Sequence, residues 1–384
     1  MQHLFFLIQR RGFFLLFLSL VLSPTLATAK LVIAQGGASG YLMEHNLPAV
    51  TMAVMMNADI IKIDTVLSAD NEVIVTSSPK ITQSTNAFEI FPDRARDDGN
   101  YYALDFTLEE IRQLSLRDPA GRFPEELQLR LTIPTLKEEL ALIEALNGSL
   151  EKNIRIAVEI KQAWLHRKEG KDISTPVLNT LQRFGYSTGS DQLLLMSYDA
   201  VELRRIRKEL LPAMGMGVKL VQLIESNEGQ ENMVEEWGEL KSYNYDWMFS
   251  KSGLRSLAGS VAAIGLPKYM LADPKGTLLL DEFVKNAQQL GTMIFTFPVQ
   301  KEENGRVPFL NSFNEELEFF YFTVGADGII TDFCKDALQY LKNREENPAP
   351  GIMFEQEEFA APSMETINDD PLQLTSPLEF ESKE

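Results

Sequence analysis

Cysteine is almost absent from this chain, and histidine is scarce. The 384 residues contain one cysteine, Cys334, and three histidines. A single thiol forms no intramolecular disulfide, and Cys334 lies far from the N-terminal apolar segment, which argues against a lipoprotein anchor. A lone thiol near the start of a late helix is more often buried packing than a nucleophile. We therefore expect Cys334 to be buried.

A long hydrophobic run occurs at the N-terminus. Arg10 and Arg11 precede the apolar run 12–22, and a small-residue cleavage pattern ends at Ala29. This is the pattern of a secretory signal peptide cleaved after Ala29, and it predicts a periplasmic or secreted protein without a stable membrane anchor. An uncleaved anchor is the alternative, although the run is short for a bilayer span of about 20 residues.

Positive charge is in deficit. The sequence has 36 Lys and Arg against 55 Asp and Glu, a formal net charge of −19. An acidic surface argues against nucleic acid or anionic lipid as the main partner. Much of the excess lies in residues 343–384, which show no sustained hydrophobic period and are predicted to form a disordered tail. Phe354 and Phe359 are among the apolar residues by which this tail could dock on a protein partner, and a solvated tail without function is the alternative.

Between these ends, short apolar runs alternate with helical patterns. Runs rich in Val and Ile, separated by helices, indicate a parallel sheet that is buried on both faces. Strands are predicted at 31–34, 60–66, 73–75, 154–160, 192–196, 218–223, 293–297 and 328–330. Helices are predicted at 134–146, 176–184, 200–211, 280–290 and 314–324. Periodicity alone does not separate an open doubly wound sheet from a closed barrel.

The first two runs carry unusual residues. The first is followed by a glycine-rich turn, QGGASG, that begins at Gln35. The second carries Lys62 and Asp64, whose side chains share one face because strand side chains alternate. A charged pair on a buried strand needs a partner. The glycine turn could bind an anion through its amides, although tight-turn geometry explains it without a ligand.

Several long segments resemble one known family in wording and in order. They are FPDRARDDGNYYALDFTLEEI from Phe91, IPTLKEEL from Ile133, AVEIKQAW from Ala157, KLVQLI from Lys219, YNYDWMF from Tyr243 and DGIITDF from Asp327. Over residues 30–341 the chain resembles the glycerophosphodiester phosphodiesterase family, most closely its bacterial periplasmic branch. The resemblance implies a TIM (β/α)8 barrel over residues 30–342, with an insertion after the third strand at about 81–123.

The resemblance also implies a site, and this sequence departs from it. In the family the first strand ends in His-Arg, the second carries Glu-x-Asp, and a His-Asp pair ends the third. The corresponding positions, together with the third metal-binding carboxylate, form a degenerate pocket here: Gln35, Gly36, Lys62, Asp64, Thr76, Ser77 and Glu159. Such positions meet at the carboxyl ends of barrel strands, where this fold places its active sites.

In the family, as the resemblance implies, three carboxylates hold a divalent cation such as calcium, and two histidines act as general acid and base. Gln35 and Thr76 exchange no protons near neutral pH, so we assign no catalytic residue. Lys62 removes a metal ligand and supplies a positive charge, so we expect it to pair with Asp64 or Glu159 and expect no metal or other cofactor. The alternative is a lysine turned to solvent beside a weak two-carboxylate site.

Other positions have two interpretations. His45 is expected in a structural or helix-capping role, and His166, within WLHRKEGKD, in a solvated loop. The sequence SYD from Ser197 to Asp199 either lines the pocket or caps a helix. Gln300 stands where the family has an arginine, which weakens any claim to phosphate binding.

Three functions remain open from the sequence. The first is a pseudoenzyme on a phosphoric diester hydrolase scaffold, acting by binding a phosphodiester, another small anion or a protein. The second is an active glycerophosphodiester phosphodiesterase or other ester hydrolase in which Lys62 or His45 has a new role. The third is a structural protein whose acidic tail is the active part.

Overall fold

The computed structural model describes residues 29–119, 121–123, 131–187, 191–302 and 305–346. Residues 1–28 of the predicted signal peptide and 347–384 of the predicted tail lie outside these ranges. Within them, no helix is both long and apolar enough to cross a membrane.

Eight parallel strands form a closed barrel. The first strand pairs with both the second and the last, which closes the sheet and confirms the predicted TIM barrel over the open sheet. The barrel strands are β1 (Leu31–Gln35), β2 (Ile60–Leu67), β4 (Arg155–Ile160), β5 (Leu193–Ser197), β6 (Lys219–Leu223), β9 (Ala263–Pro267), β10 (Met293–Val299) and β11 (Gly328–Thr331). Three strands lie outside it: β3 (Val73–Val75), β7 (Met233–Glu236) and β8 (Glu239–Ser242).

Helices cover the outside of the barrel. Several helices begin with an N-cap formed by residues close in the sequence. The Asn46 side chain accepts from Ala49 N, and Thr135 and Glu138 form a capping box. The helices are Leu47–Met55, Ala87–Ile90, Leu108–Ile111, Leu136–Ser149, Ala163–Lys168, Ser174–Arg183, Ala200–Arg205, Leu211–Met214, Asp246–Phe249, Lys251–Ala258, Lys268–Leu271, Asp281–Gln289, Phe313–Glu318 and Cys334–Glu346. Ile206–Leu210 and Phe319–Thr323 are π-helical turns, so the predicted helices 200–211 and 314–324 are each interrupted.

The predicted third strand is real but does not belong to the barrel. β3 pairs antiparallel with β2 in the register Thr65 with Val75. The five residues between the two strands allow a hairpin, whereas a parallel crossover needs a dozen or more. The barrel strand β9 was missed because Gly265 and Pro267 interrupt its apolar run, and the hairpin β7–β8 was missed because its side chains are polar and largely exposed.

The predicted insertion at 81–123 folds into short helices and turns around an apolar cluster of its own. Phe106, Tyr101 and Ile111 are buried in this cluster, which packs against Val66 of β2 and Ile74 of β3. The insertion is therefore attached to the barrel at β2 and β3, beside the ends of the strands that carry the candidate site.

The barrel interior has an apolar floor and a polar upper layer. Ile33, Ile60 and Ala157 belong to the apolar cluster that fills the floor. Because side chains alternate along a strand, the residues two positions later face the same interior, nearer the carboxyl ends. These residues are Gln35, Lys62 and Glu159, and the floor beneath them excludes water from one side of the site.

Candidate functional site

Four of the residues selected from the sequence meet at the carboxyl end of the barrel. Gln35 is in register with Lys62 across β1 and β2, and Asp64 is in register with Glu159 across β2 and β4. All four line one cavity of about 290 Å³, whose apolar wall includes Phe297.

Lys62 lies between the two retained carboxylates. Its Nζ contacts Oδ1 of Asp64 and is 2.5 Å from Oε2 of Glu159. The ammonium thus contacts both partners that the sequence offered as alternatives, and the solvent-facing alternative is wrong because only 5% of Lys62 is exposed. Burial by itself would lower the pKa of this ammonium, but Asp64 and Glu159 outweigh it and hold the pKa above its usual value.

The other oxygen of Asp64 has two further neighbours. Gln35 Nε2 donates to Oδ2 at 3.2 Å, and His45 Nε2 lies 3.2 Å from the same atom. Burial opposes a charge on either group, but Asp64 raises the pKa of His45, while Lys62 and His45 lower that of Asp64. His45 therefore contacts Asp64, and the residue that caps the following helix is Asn46 and not His45.

The row of charges continues beyond Glu159. Lys161 Nζ lies 2.8 Å from Oε1 of Glu159 and 3.0 Å from Oε2 of Glu231. Burial would lower the pKa of Lys161, yet Glu159 and Glu231 raise it well above the usual value. Basic and acidic side chains therefore alternate across the barrel mouth, in the order His45, Asp64, Lys62, Glu159, Lys161 and Glu231.

Sequence reasoning missed Lys161 and Glu231. Lys161 follows Glu159 at the strand spacing that already placed Lys62 beside Asp64, so the same alternation was sufficient to find it. Glu231 precedes β7 in a connection with no periodic pattern, and nothing in the sequence assigns it to this cavity.

A divalent cation does not fit among these residues. Both oxygens of Asp64 and both of Glu159 already face nitrogen atoms of Lys62, Lys161, Gln35 or His45. Calcium and magnesium need several free oxygen ligands, and the central ammonium would repel them. Among the described residues, no group of three or more His, Cys, Asp or Glu is arranged to hold a metal ion.

Thr76 and Ser77 lie in a neighbouring cavity of about 890 Å³ on the side of the insertion. The two cavities share Glu44, Gln300 and Asp332. Thr76 N donates to the main-chain oxygen of Asp64 at 3.0 Å, which ties the end of β3 to β2. Thr76 and Ser77, which stand at the positions of the family's second histidine and its aspartate, therefore line the cavity next to the one that holds Lys62. They do not contact Lys62.

Gly36 begins the glycine-rich turn in a left-handed conformation. Its φ is +54°, and a Cβ atom there would lie 2.9 Å from Cβ of Glu44. The amides of Gly36, Ala38 and Gly40 donate to the main-chain oxygens of Lys62, Ala49 and Asp332. Because these three donors are used within the fold, tight-turn geometry explains the turn without a ligand.

The SYD motif serves both purposes that the sequence allowed. Tyr198 lines the smaller cavity, and its ring meets that of Phe297 edge-on at 6.3 Å. Asp199 caps the next helix by accepting from Val201 N and Glu202 N.

The expectation of a solvated His166 is wrong. This residue lies in the helix Ala163–Lys168 and is fully buried, and its Nε2 accepts from Leu67 N at 3.1 Å. Burial lowers its pKa to about 4, so the ring is neutral near pH 7. The charged residues next to His166 in the sequence suggested a solvated loop, but they lie on a helix that directs the His166 side chain into the protein. Cys334 is buried, as predicted.

A buried carboxyl group lies near His45. Glu139 is 0% exposed, and neither of its side-chain oxygens has a hydrogen-bond partner among the described residues. Burial raises its pKa to about 8, although His45 opposes the shift. Glu139 is therefore protonated at neutral pH and does not add a negative charge to the row.

Comparison with known proteins agrees with this architecture. The family model described as the glycerophosphoryl diester phosphodiesterase family matches residues 36–336. Glycerophosphodiester phosphodiesterases of Haemophilus influenzae and Treponema pallidum are each 32% identical over 82% of this chain, covering 90% and 92% of those proteins.

A solved structure supports the same fold. The putative glycerophosphoryl diester phosphodiesterase of Silicibacter pomeroyi superposes with a TM-score of 0.59 at 20% identity, over 82% of this chain and 94% of that one. The fold, the family match and these relatives lead to one conclusion: the chain belongs to the glycerophosphoryl diester phosphodiesterase family.

Proposed function

We propose that this chain is a non-hydrolytic member of its family, a pseudoenzyme that acts by binding. The observation that carries the proposal is the Lys62 ammonium between Asp64 and Glu159, which occupies the carboxylate oxygens that a divalent cation would need. On this proposal the chain keeps the scaffold of a phosphoric diester hydrolase, and the Lys62 ammonium takes the place of the divalent cation.

Hydrolysis of a phosphodiester also needs proton transfer. An attacking hydroxyl must lose a proton and the leaving oxygen must gain one, and imidazole does both near neutral pH. Gln35 and Thr76 offer an amide and a hydroxyl in place of the two family histidines. The pocket therefore lacks the acid and the base as well as the cation.

The runner-up is a hydrolase with a rearranged site. It is favoured by His45, which borders the larger cavity and whose pKa is raised by Asp64. Against it, His45 is only 2% exposed and its Nε2 faces Asp64, so a substrate proton would have little access to that nitrogen.

The charge of the lining guides the choice of ligand. The smaller cavity is lined by four carboxylates, Glu44, Asp64, Glu159 and Asp332, and by the ammonium groups of Lys62 and Lys161. This excess of negative charge disfavours the phosphodiester or small anion that the sequence allowed. We propose instead a small uncharged or cationic polar molecule, whose apolar part would contact Phe297.

The test is hydrolysis of glycerophosphocholine by the purified mature protein, with and without calcium or magnesium. A restored variant carries Gln35→His, Lys62→Glu, Thr76→His and Ser77→Asp. Gly36→Arg is added in a second variant only, because a side chain at φ +54° would press on Glu44. A matched control carries the same changes except Lys62→Glu, and so restores the acid and base without the metal ligand.

The proposal predicts an inactive parent, an inactive control, and metal-dependent activity in the restored variant. A parent that hydrolyses the substrate above background, with activity lost in His45→Gln, would contradict it and favour the rearranged site.

We also propose that the N-terminal segment exports the protein to the periplasm or beyond, with cleavage after Ala29. Mass spectrometry of the protein purified from an exporting host would give a mature N-terminus at Lys30. An intact N-terminus would contradict cleavage and favour a membrane anchor.

A further inference from the structure

A groove on the outer wall of the barrel is lined by cations. It has a volume of about 490 Å³ and lies between the helical segment 200–214 and the helix Lys251–Ala258. Its lining includes Arg204, Arg207, Lys208 and Arg255, and no carboxylate among the described residues that form it.

These four side chains lack acidic partners. None of them makes an ion pair or a side-chain hydrogen bond with another residue in the part of the chain that the structure describes. Their neighbour Arg205, by contrast, pairs with Asp172 at 2.7 Å and with Glu202 at 2.5 Å. The four cations are exposed, and no carboxylate among the described lining residues neutralises them within the groove.

The backbone brings the cations together. Arg204 and Lys208 lie four residues apart, or about 6 Å along a helix, where like charges repel each other. The π-helical turn Ile206–Leu210 carries Arg207 and Lys208 towards the groove, and π turns occur frequently at functional sites. Arg255 lines the same groove from the helix Lys251–Ala258.

Unused hydrogen-bond donors complete the lining. Ser256 and Ser260 also line the groove, and among the described residues neither hydroxyl group makes a side-chain hydrogen bond. Arginine guanidinium groups donate in a planar fork that matches phosphate oxygens. The groove therefore offers charge and directed donors for more than one phosphate group.

We propose that this groove binds a soluble polyanion that carries two or more linked phosphate groups. One phosphate would contact the pair Arg204 and Lys208, and the other Arg207 and Arg255. The site is separate from the pocket in the barrel mouth, since its lining shares no residue with the cavities there. It also does not depend on whether the pocket hydrolyses a substrate.

The experiment is calorimetric titration of the mature protein with inorganic tripolyphosphate and, separately, with inorganic phosphate. We expect saturable binding of tripolyphosphate at one site, at least tenfold tighter than phosphate and weaker as the salt concentration rises. The variant Arg204→Glu/Arg207→Glu/Arg255→Glu should weaken binding at least tenfold.

The matched control is Lys137→Glu/Lys335→Glu/Lys342→Glu, which changes the net charge equally at exposed lysines outside the groove. It should bind within twofold of the parent. Arg207→Gln is a milder variant that keeps a polar side chain, and it should weaken binding at least threefold even if the triple variant does not fold.

Equal weakening in the two triple variants would overturn the proposal, because net charge alone would then explain the binding. Absence of tripolyphosphate binding would also overturn it. So would groove-dependent binding to phosphatidylglycerol vesicles without binding of tripolyphosphate, since the ligand would then be a lipid surface.

Discussion

Replacing Lys62 by methionine tests the central ion cluster most strongly. The change keeps the length of the side chain but removes the ammonium that contacts both Asp64 and Glu159. Removing one partner of a buried ion pair typically costs about 3–5 kcal/mol, because a charge is left unpaired inside the protein.

The remaining contacts reduce this cost. Asp64 keeps Gln35 and His45, and Glu159 keeps Lys161 at 2.8 Å. We therefore expect a loss of about 3 kcal/mol in the free energy of unfolding at pH 7, the lower end of that range. The loss should shrink as the pH falls, because an unpaired carboxylate can take up a proton.

Urea unfolding followed by tryptophan fluorescence would measure this loss, with an unchanged m-value as the sign of a comparable unfolding transition. Adding Glu159→Gln to Lys62→Met should recover part of the lost stability. As a matched control, Lys268→Met removes a partly buried lysine that pairs with Glu316 at 2.9 Å elsewhere, and Glu159→Gln should not rescue it. A loss below about 1 kcal/mol, or equal rescue in both backgrounds, would refute the reasoning.

Three further predictions concern buried titratable groups. Glu139 has a pKa of about 8 in the folded protein, so its contribution to stability is complete below the unfolded pKa near 4.5 and is lost as the pH rises towards 8. At pH 7 the carboxyl group ionises in the unfolded chain but not in the folded protein, which favours unfolding. Glu139→Gln removes this effect and should therefore stabilise the protein by about 2–3 kcal/mol at pH 7 in urea unfolding. His166 has a pKa of about 4, so its contribution is complete above pH 6.5 and is lost as the pH falls to about 4; its ring proton signals in NMR should not titrate above pH 5. Cys334 has a pKa of about 11, so at pH 8 the native protein should react with a thiol reagent about 100-fold more slowly than the urea-unfolded chain. The first prediction is contradicted if Glu139→Gln is no more stable than the parent. The second is contradicted if the His166 ring signals titrate with a midpoint near pH 6.5, and the third if Cys334 reacts at equal rates in the native and unfolded chains.

Much of the barrel could be predicted from the sequence because buried parallel strands are continuous apolar runs. The runs at 31–34 and 60–66 lie within one residue of β1 and β2. The strand Ala263–Pro267 escaped because its glycine and proline weaken the pattern, although tertiary pairing with β6 and β10 holds it in place. The antiparallel pairing of β3 with β2 follows from the short connection between the two strands, and apolar periodicity gives no information about strand direction.

The site was predictable where strand alternation applies. That rule placed Lys62 beside Asp64, and the family pattern added Glu159. Lys161 obeys the same rule and was overlooked, whereas Glu231 reaches the cluster from an irregular connection that only tertiary structure brings close. His166 shows the opposite failure, because charged neighbours in sequence concealed a fully buried ring.

The measurement that tests the central claim most directly is a calcium titration of the mature protein by calorimetry, beside Lys62→Glu and Lys62→Glu/Asp64→Ala. If the Lys62 ammonium takes the place of the cation, the parent gives no saturable heat, Lys62→Glu binds calcium at one site, and the added Asp64→Ala abolishes that binding. Tight, saturable binding to the parent that is lost in Asp64→Ala would contradict the account, because a cation would then share the site with Lys62.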